Sequence, residues 1–180
     1  MLLLTARPHA TVSLMRTKGK HMPRIARTVS SSGVYHVVMR GAGRQIVFET
    51  SGDYEAMLQK IGQLRDDGSI AVLAWCLMSN HVHLLIREEG SALGEAMKRI
   101  GTSYAMRFNL RTGHVGHVFQ DRYRSEPVED DPYLLSVVRY IHDNPVKAGI
   151  AARDAYRWSS YQEYVGSPVL RDTSDRKSVV

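Results

Sequence analysis

Cysteine is almost missing from this chain: Cys76 is the only one. A single thiol excludes an internal disulfide, a CxxC redox pair and a thiolate-rich zinc site, so a reducing compartment, the cytoplasm, is the expected setting. Cys76 itself reads as a buried strand residue. Long uncharged runs are also scarce. The longest, Gly68 to Ile86, has the length of a membrane span. Its second half carries Ser79, Asn80, His81 and His83, each costly in hydrocarbon, so no membrane association is expected. The opening six residues lack the basic lead and the apolar core of a secretion signal. Acidic residues are absent from positions 1–21, where Arg7, Arg16, Lys18 and Lys20 supply four of the net +6 charges. The remainder carries only +2, so any nucleic-acid surface must be local.

What is present fits one soluble globular domain. The chain has 180 residues, 43% hydrophobic and 23% charged, which excludes wholly disordered, collagen-like and coiled-coil classes. Residues 1–21 show no clean period and read as an extension, with Met22 a plausible true start; the domain is expected over 22–165, and 166–180 as a frayed, disordered tail. Within the domain, Val34–Met39 is β-branched and apolar between glycines and reads as a strand. Asp53 opens a helix in which Tyr54, Met57, Leu58, Ile61 and Leu64 recur at helical spacing. Ile70–Leu77 and His81–Arg87 are apolar runs joined by a short polar connection, an antiparallel hairpin. Leu93, Met97, Ile100, Tyr104 and Phe108 mark a second amphipathic helix, with Lys98, Arg99, Arg107 and Arg111 on its polar side. Arg124–Val128 reads as a fourth strand. Asp131 and Pro132 then open a helix that Pro145 ends. The order strand, helix, strand, strand, helix, strand is the α+β, ferredoxin-like split βαβ arrangement with a central antiparallel sheet. The added C-terminal helix carries Tyr140.

His81 and His83 stand one residue apart on a strand, so both side chains leave the same face about 6.5 to 7 Å apart along it. Two imidazoles can converge on one ion there; the alternative is a hairpin edge whose histidines face water. Tyr140 and Asn144 are four apart on a helix and share a face, roughly 6 Å between Cβ atoms. Taken alone, that pair reads sooner as a packing residue and a helix C-terminal residue before Pro145 than as catalytic machinery. His36 either shares the sheet face of the paired histidines or packs in the core. His114 and His117 lie in a basic loop, and His142 points away from Tyr140 around the helix.

The run Trp75-Cys76-Leu77-Met78-Ser79-Asn80-His81-Val82-His83-Leu84-Leu85-Ile86, followed by Tyr140-Ile141-His142-Asp143-Asn144-Pro145-Val146-Lys147-Ala148-Gly149, resembles the HUH transposases with one catalytic tyrosine. It is similar in particular to their REP-associated tyrosine branch, of the IS200-like family. Tyr35-His36-Val37 leading to Arg40-Gly41, Gly116 to Tyr123, and Tyr156-Arg157-Trp158-Ser159-Ser160-Tyr161 extend the likeness from about Met22 to Tyr164. The resemblance implies that His81, His83 and Asn144 hold a divalent cation, Mg2+ or Mn2+, and that Tyr140 is the nucleophile. Two imidazoles tilt such a site towards Mn2+. Ser79 replaces the family's usual proline before Asn80-His81, which changes the turn and not a ligand. Asn144 stands where relatives carry glutamine, offering the same amide oxygen on a shorter arm.

The implied activity is transposition. Single-stranded, hairpin-associated DNA is cut and rejoined through a 5′-phosphotyrosine, by a monomer or a homodimer. Two other activities fit the same motifs: an HUH endonuclease of replication or mobilisation, and a non-catalytic DNA-binding module. For the DNA contact, Arg40, Arg44, Lys98, Arg99, Arg107, Arg122 and Arg124 offer phosphate partners, and Tyr123 a stacking surface.

Overall fold

The computed structural model describes residues 28–90 and 92–166. The expectations for the 1–21 extension, the Met22 start and nearly all of the 166–180 tail lie outside the described residues. The elements follow in the order β1 (Val34–Arg40), α1 (Ser51–Asp66), β2 (Ile70–Met78), β3 (His81–Glu88), α2 (Leu93–Thr112), β4 (Arg124–Pro127), α3 (Asp131–His142), α4 (Asn144–Lys147) and α5 (Tyr161–Tyr164). The sheet order is β2-β3-β1-β4, with every neighbouring pair antiparallel. This is the split βαβ arrangement, because β3 is inserted between β1 and β2.

Alternation along β1 and β3 divides the molecule into two layers. Tyr35, Val37 and Met39 join Val82, Leu84 and Ile86 in a core with Met57, Ile61, Leu64, Met97, Ile100 and Tyr104 from α1 and α2. Leu85 faces the other way and meets Val137, Val138 and Ile141 of α3. Every residue of β2 is buried. It is covered on both faces, which is why its sequence is continuously apolar. One irregularity was not legible in that run: the register shifts between Val72 and Ala74. This β-bulge leaves Leu73 without a cross-strand partner and moves Trp75 and Leu77, in place of Ala74 and Cys76, onto the α1–α2 side.

Three expected helix boundaries shift. Helix α1 begins at Ser51 and not Asp53; Asp53 sits two residues in, where its carboxylate accepts from the backbone N–H groups of Glu49 and Thr50 at 3.0 and 2.9 Å. Asp130, not Asp131, caps α3 by accepting from the Tyr133 N–H at 2.7 Å. Pro145 does not end α3. That helix stops at His142, and Pro145 lies inside α4, where a missing N–H at the first turn costs nothing.

The segment after α4 closes the free edge of β2. Leu77 N–H donates to the Trp158 carbonyl and Ser160 N–H to the Trp75 carbonyl, both at 2.9 Å, and the Tyr156 hydroxyl donates to the Leu77 carbonyl. The Tyr164 hydroxyl donates to the Leu73 carbonyl. Ser160 Oγ accepts from Trp75 N–H at 2.9 Å and lies 2.8 Å from His142 Nε2.

Candidate active site

Residues Ser79 and Asn80 form the two-residue tip between β2 and β3. The tip is held by the β1–α1 connection: the Ser79 carbonyl accepts from the N–H groups of Val47 and Phe48, and the Asn80 carbonyl from Gly41 N–H. Gly41 must be glycine here, since a Cβ would lie 2.3 Å from the Gln45 carbonyl oxygen. The tip therefore delivers His81 at a fixed height on the sheet.

His81 and His83 leave the α3 side of β3, with ring centroids 4.9 Å apart. His81 Nδ1 lies 2.6 Å from the Asn80 side-chain oxygen, so it is the donor and Nε2 is left as the free lone pair. His83 Nδ1 lies 3.0 Å from His36 Nε2, and the two rings stack at 5.2 Å. Burial, then the positive neighbours His36, His81 and Arg40, pushes His83 down to about 3. Burial also lowers His36 and His81, though Glu126 opposes the shift at His36. All three are neutral at neutral pH, the state in which imidazole binds a metal.

Tyr140 projects from α3 into the same place. Its ring centroid is 5.6 Å from that of His83 and 5.8 Å from that of His36. The Lys147 ammonium lies 4.3 Å from the centre of the Tyr140 ring, fixing it by a cation–π contact. With 42% exposure, the phenol is open to a substrate. Asn144 turns back on α3, where its amide nitrogen donates to the carbonyls of Tyr140 and Ile141 at 2.9 and 3.3 Å. Its Oδ1 is thereby left as the unused acceptor. Among the described residues, no group of three or more His, Cys, Asp or Glu side chains is placed to hold a metal ion. His81 Nε2 and Asn144 Oδ1 are unengaged, and His83 adds its own Nε2 lone pair when its Nδ1 carries the proton shared with His36; imidazole nitrogen and amide oxygen are donor types that suit a borderline divalent cation.

A cleft of about 1000 Å³ opens over this place, lined by His36, His83 and Tyr140 together with Arg40, Arg122 and Arg124. Those three arginines are thus brought to the tyrosine. The others are not. Arg99 pairs with Asp67 at 3.0 Å and Arg107 reaches the Gly52 carbonyl at 3.4 Å, both on α2 across the sheet. Lys98, also on α2, pairs with Glu95 at 3.5 Å. Arg44 is exposed in a short 3-10 turn after β1. Tyr123 is half-buried, with the Arg122 guanidinium 5.4 Å from its ring centre. His142 is buried against Ser160, consistent with its pointing away from Tyr140. Of the two readings of His36, the one on the sheet face of the paired histidines holds; Asn80 and Lys147 are neighbours to which the sequence assigned no role. Strand parity alone places His36 with His83 once β1 and β3 are known to be adjacent; nothing local in the sequence signals the other two.

The sequence matches the family model described as transposase, IS200 like, over residues 29–144, from before β1 through both histidines and Tyr140 to Asn144. Among solved structures, the chain is similar to a REP-associated tyrosine transposase bound to a REP hairpin. The identity is 18% and the TM-score 0.68, over 86% of this chain and 94% of that one. A Deinococcus radiodurans protein described as a transposase is matched at 15% identity and a TM-score of 0.46, over 72% of this chain and 99% of that one. No curated protein matches in sequence. No helix among the described residues is long and apolar enough to cross a membrane. The family model spans the whole four-stranded sheet and the helix that brings tyrosine to it, and this chain belongs to the IS200-like transposase family.

Proposed function

We propose that this transposase cleaves and rejoins single-stranded, hairpin-associated DNA through a 5′-phosphotyrosine on Tyr140, with a divalent cation held by His81, His83 and Asn144. The observation that carries this reading is the meeting of Tyr140 on α3 with His83 on β3, ring centres 5.6 Å apart, in a cleft lined by arginines. Bound Mg2+ or Mn2+ would supply the positive charge that polarises the scissile phosphate. Arg40, Arg122 and Arg124 bind the flanking phosphates and set the strand's register. Lys147 and the two histidine rings hold the phenol.

In cleavage, the Tyr140 phenol loses its proton and its oxygen attacks phosphorus. The bond from phosphorus to the 3′ oxygen breaks, and that oxygen takes up a proton as a free 3′-OH. Rejoining is the reverse: a 3′-OH attacks the phosphotyrosine and Tyr140 leaves. The phosphodiester energy is kept in the covalent link, so no nucleotide is spent. The unit that does this is residues 22–165, as a monomer or homodimer.

The test is incubation of the full chain with labelled hairpin DNA bearing unpaired flanks, with Mn2+ or Mg2+. A protein band carrying covalent DNA is expected for the wild type, requiring metal and absent in Tyr140→Phe. DNA binding without any adduct would instead make the chain a non-catalytic binding module.

A further inference from the structure

A second groove, of about 610 Å³, lies across the sheet between α2 and the 113–123 segment. We propose that it receives the unpaired DNA strand that leaves the Tyr140 cleft, an inference that rests on the single-strand reading above.

The two cavities share one border. Gln120, Asp121 and Arg122 border both. Just before β4 begins, this segment runs beside the end of β1, with Gln120 N–H donating to the Arg40 carbonyl at 2.7 Å and a bridge between Gly41 and Phe119. A strand held at the cleft by Arg122 can therefore pass over the sheet edge and enter the groove without leaving the protein.

The groove's chemistry suits unpaired nucleotides. Its apolar surface is supplied by methionines and Phe119, with Lys98 and Arg122 as cations on its rim and Asp121 as its one acid among the described lining residues. Apolar and aromatic surface takes base faces, and the cations take phosphates. Asn109 Oδ1 and the Tyr123 hydroxyl, from two of the lining residues, are enclosed and have no hydrogen-bond partner.

Helix α2 is also built to leave the groove open. Gly94 and Gly101 lie seven apart, two turns along one face, and both line the groove. A Cβ at Gly94 would meet nothing within 4 Å, and at Gly101 only the flexible end of Met39 at 3.4 Å. Packing does not demand glycine at either position, and glycine is disfavoured in a helix interior. What the two glycines preserve is empty space. The groove follows α2 from Gly94 to Asn109, roughly 22 Å at the helical rise, room for a few nucleotides.

The experiment compares hairpin DNA with and without a five-nucleotide unpaired extension, on either end, by fluorescence anisotropy. A 2-aminopurine in the extension reports stacking. For the wild type, the extension should strengthen binding about tenfold and quench the probe. Gly101→Leu fills the groove while improving helix propensity, so its Tm should hold or rise. In that variant the gain from the extension should fall below about twofold, and the quenching should disappear. An extension gain and quenching that persist in Gly101→Leu, or no gain in the wild type, would overturn the groove assignment while leaving the Tyr140 chemistry standing. Failure of every hairpin to bind or form an adduct would instead overturn the single-strand reading itself.

Discussion

Each of the paired histidines has one ring nitrogen already engaged, and that decides what the other can do. His81 is settled by the Asn80 oxygen, which can only accept. His83 faces another imidazole, and either nitrogen of the 3.0 Å pair can carry the proton. When His36 donates, His83 keeps its proton on Nε2 and cannot bind a cation. When His36 accepts, the Nε2 lone pair is free. In the proposed metal site, His36 would thus be a positioning residue. His36→Ala should weaken Mn2+ binding by about 10- to 100-fold in calorimetric titration, and His36→Gln, whose oxygen can accept, should recover part of the loss. The paired histidines were legible from spacing and from the resemblance, whereas this tautomer control was not. It depends on β1 lying beside β3, a long-range fact that no local window of sequence contains.

Among the elements, the hairpin that carries both histidines is positioned by two connections remote in sequence. The β1–α1 connection grips its tip, and the 158–160 segment lies along its outer strand. Gly41→Ala would drive a methyl group into the Gln45 carbonyl oxygen. We expect a loss of about 3 kcal/mol in chemical denaturation, with metal affinity falling as the tip shifts. The elements themselves were legible because each has a clean period or a polar boundary, and the observed ranges depart from expectation by only a few residues. The bulge at Leu73 was not, since a strand buried on both faces shows no alternation to interrupt. Nor was the role of Tyr156 to Tyr161, whose hydrogen bonds run to β2 some eighty residues earlier.

For the whole molecule, the two faces of the sheet are unequally covered. Helices α1 and α2 cover one side, leaving the groove along α2, and α3 with the segment after α4 covers the other, leaving the cleft at Tyr140. Sequence showed that α2 is amphipathic but not which face of the sheet it would cover, so Arg99 and Arg107 were grouped with arginines that belong to the opposite side. Histidine burial on both sides of α3 also sets the response of the fold to acid. His142 is pushed down to about 4, by burial first and then by Arg153, and His83 to about 3. Between 6.5 and these values the unfolded chain binds more protons than the folded one, so stability rises with pH across that window. The urea midpoint of the metal-free protein should therefore be highest above about pH 6.5 and fall steadily towards pH 4. A midpoint that is flat over that range would mean these imidazoles are not buried neutral.

The strap along β2 carries a further consequence for how the chain is made. Synthesis runs from the N-terminus, and the residues that close the edge are produced about eighty positions after the strand they cover. Until residues 156–164 emerge, a nine-residue apolar strand has its backbone groups bare along one side. Such an edge can pair with any similar strand nearby. The growing polypeptide therefore passes through an aggregation-prone stage that the finished molecule no longer shows, and it is during translation that a chaperone would matter most to it.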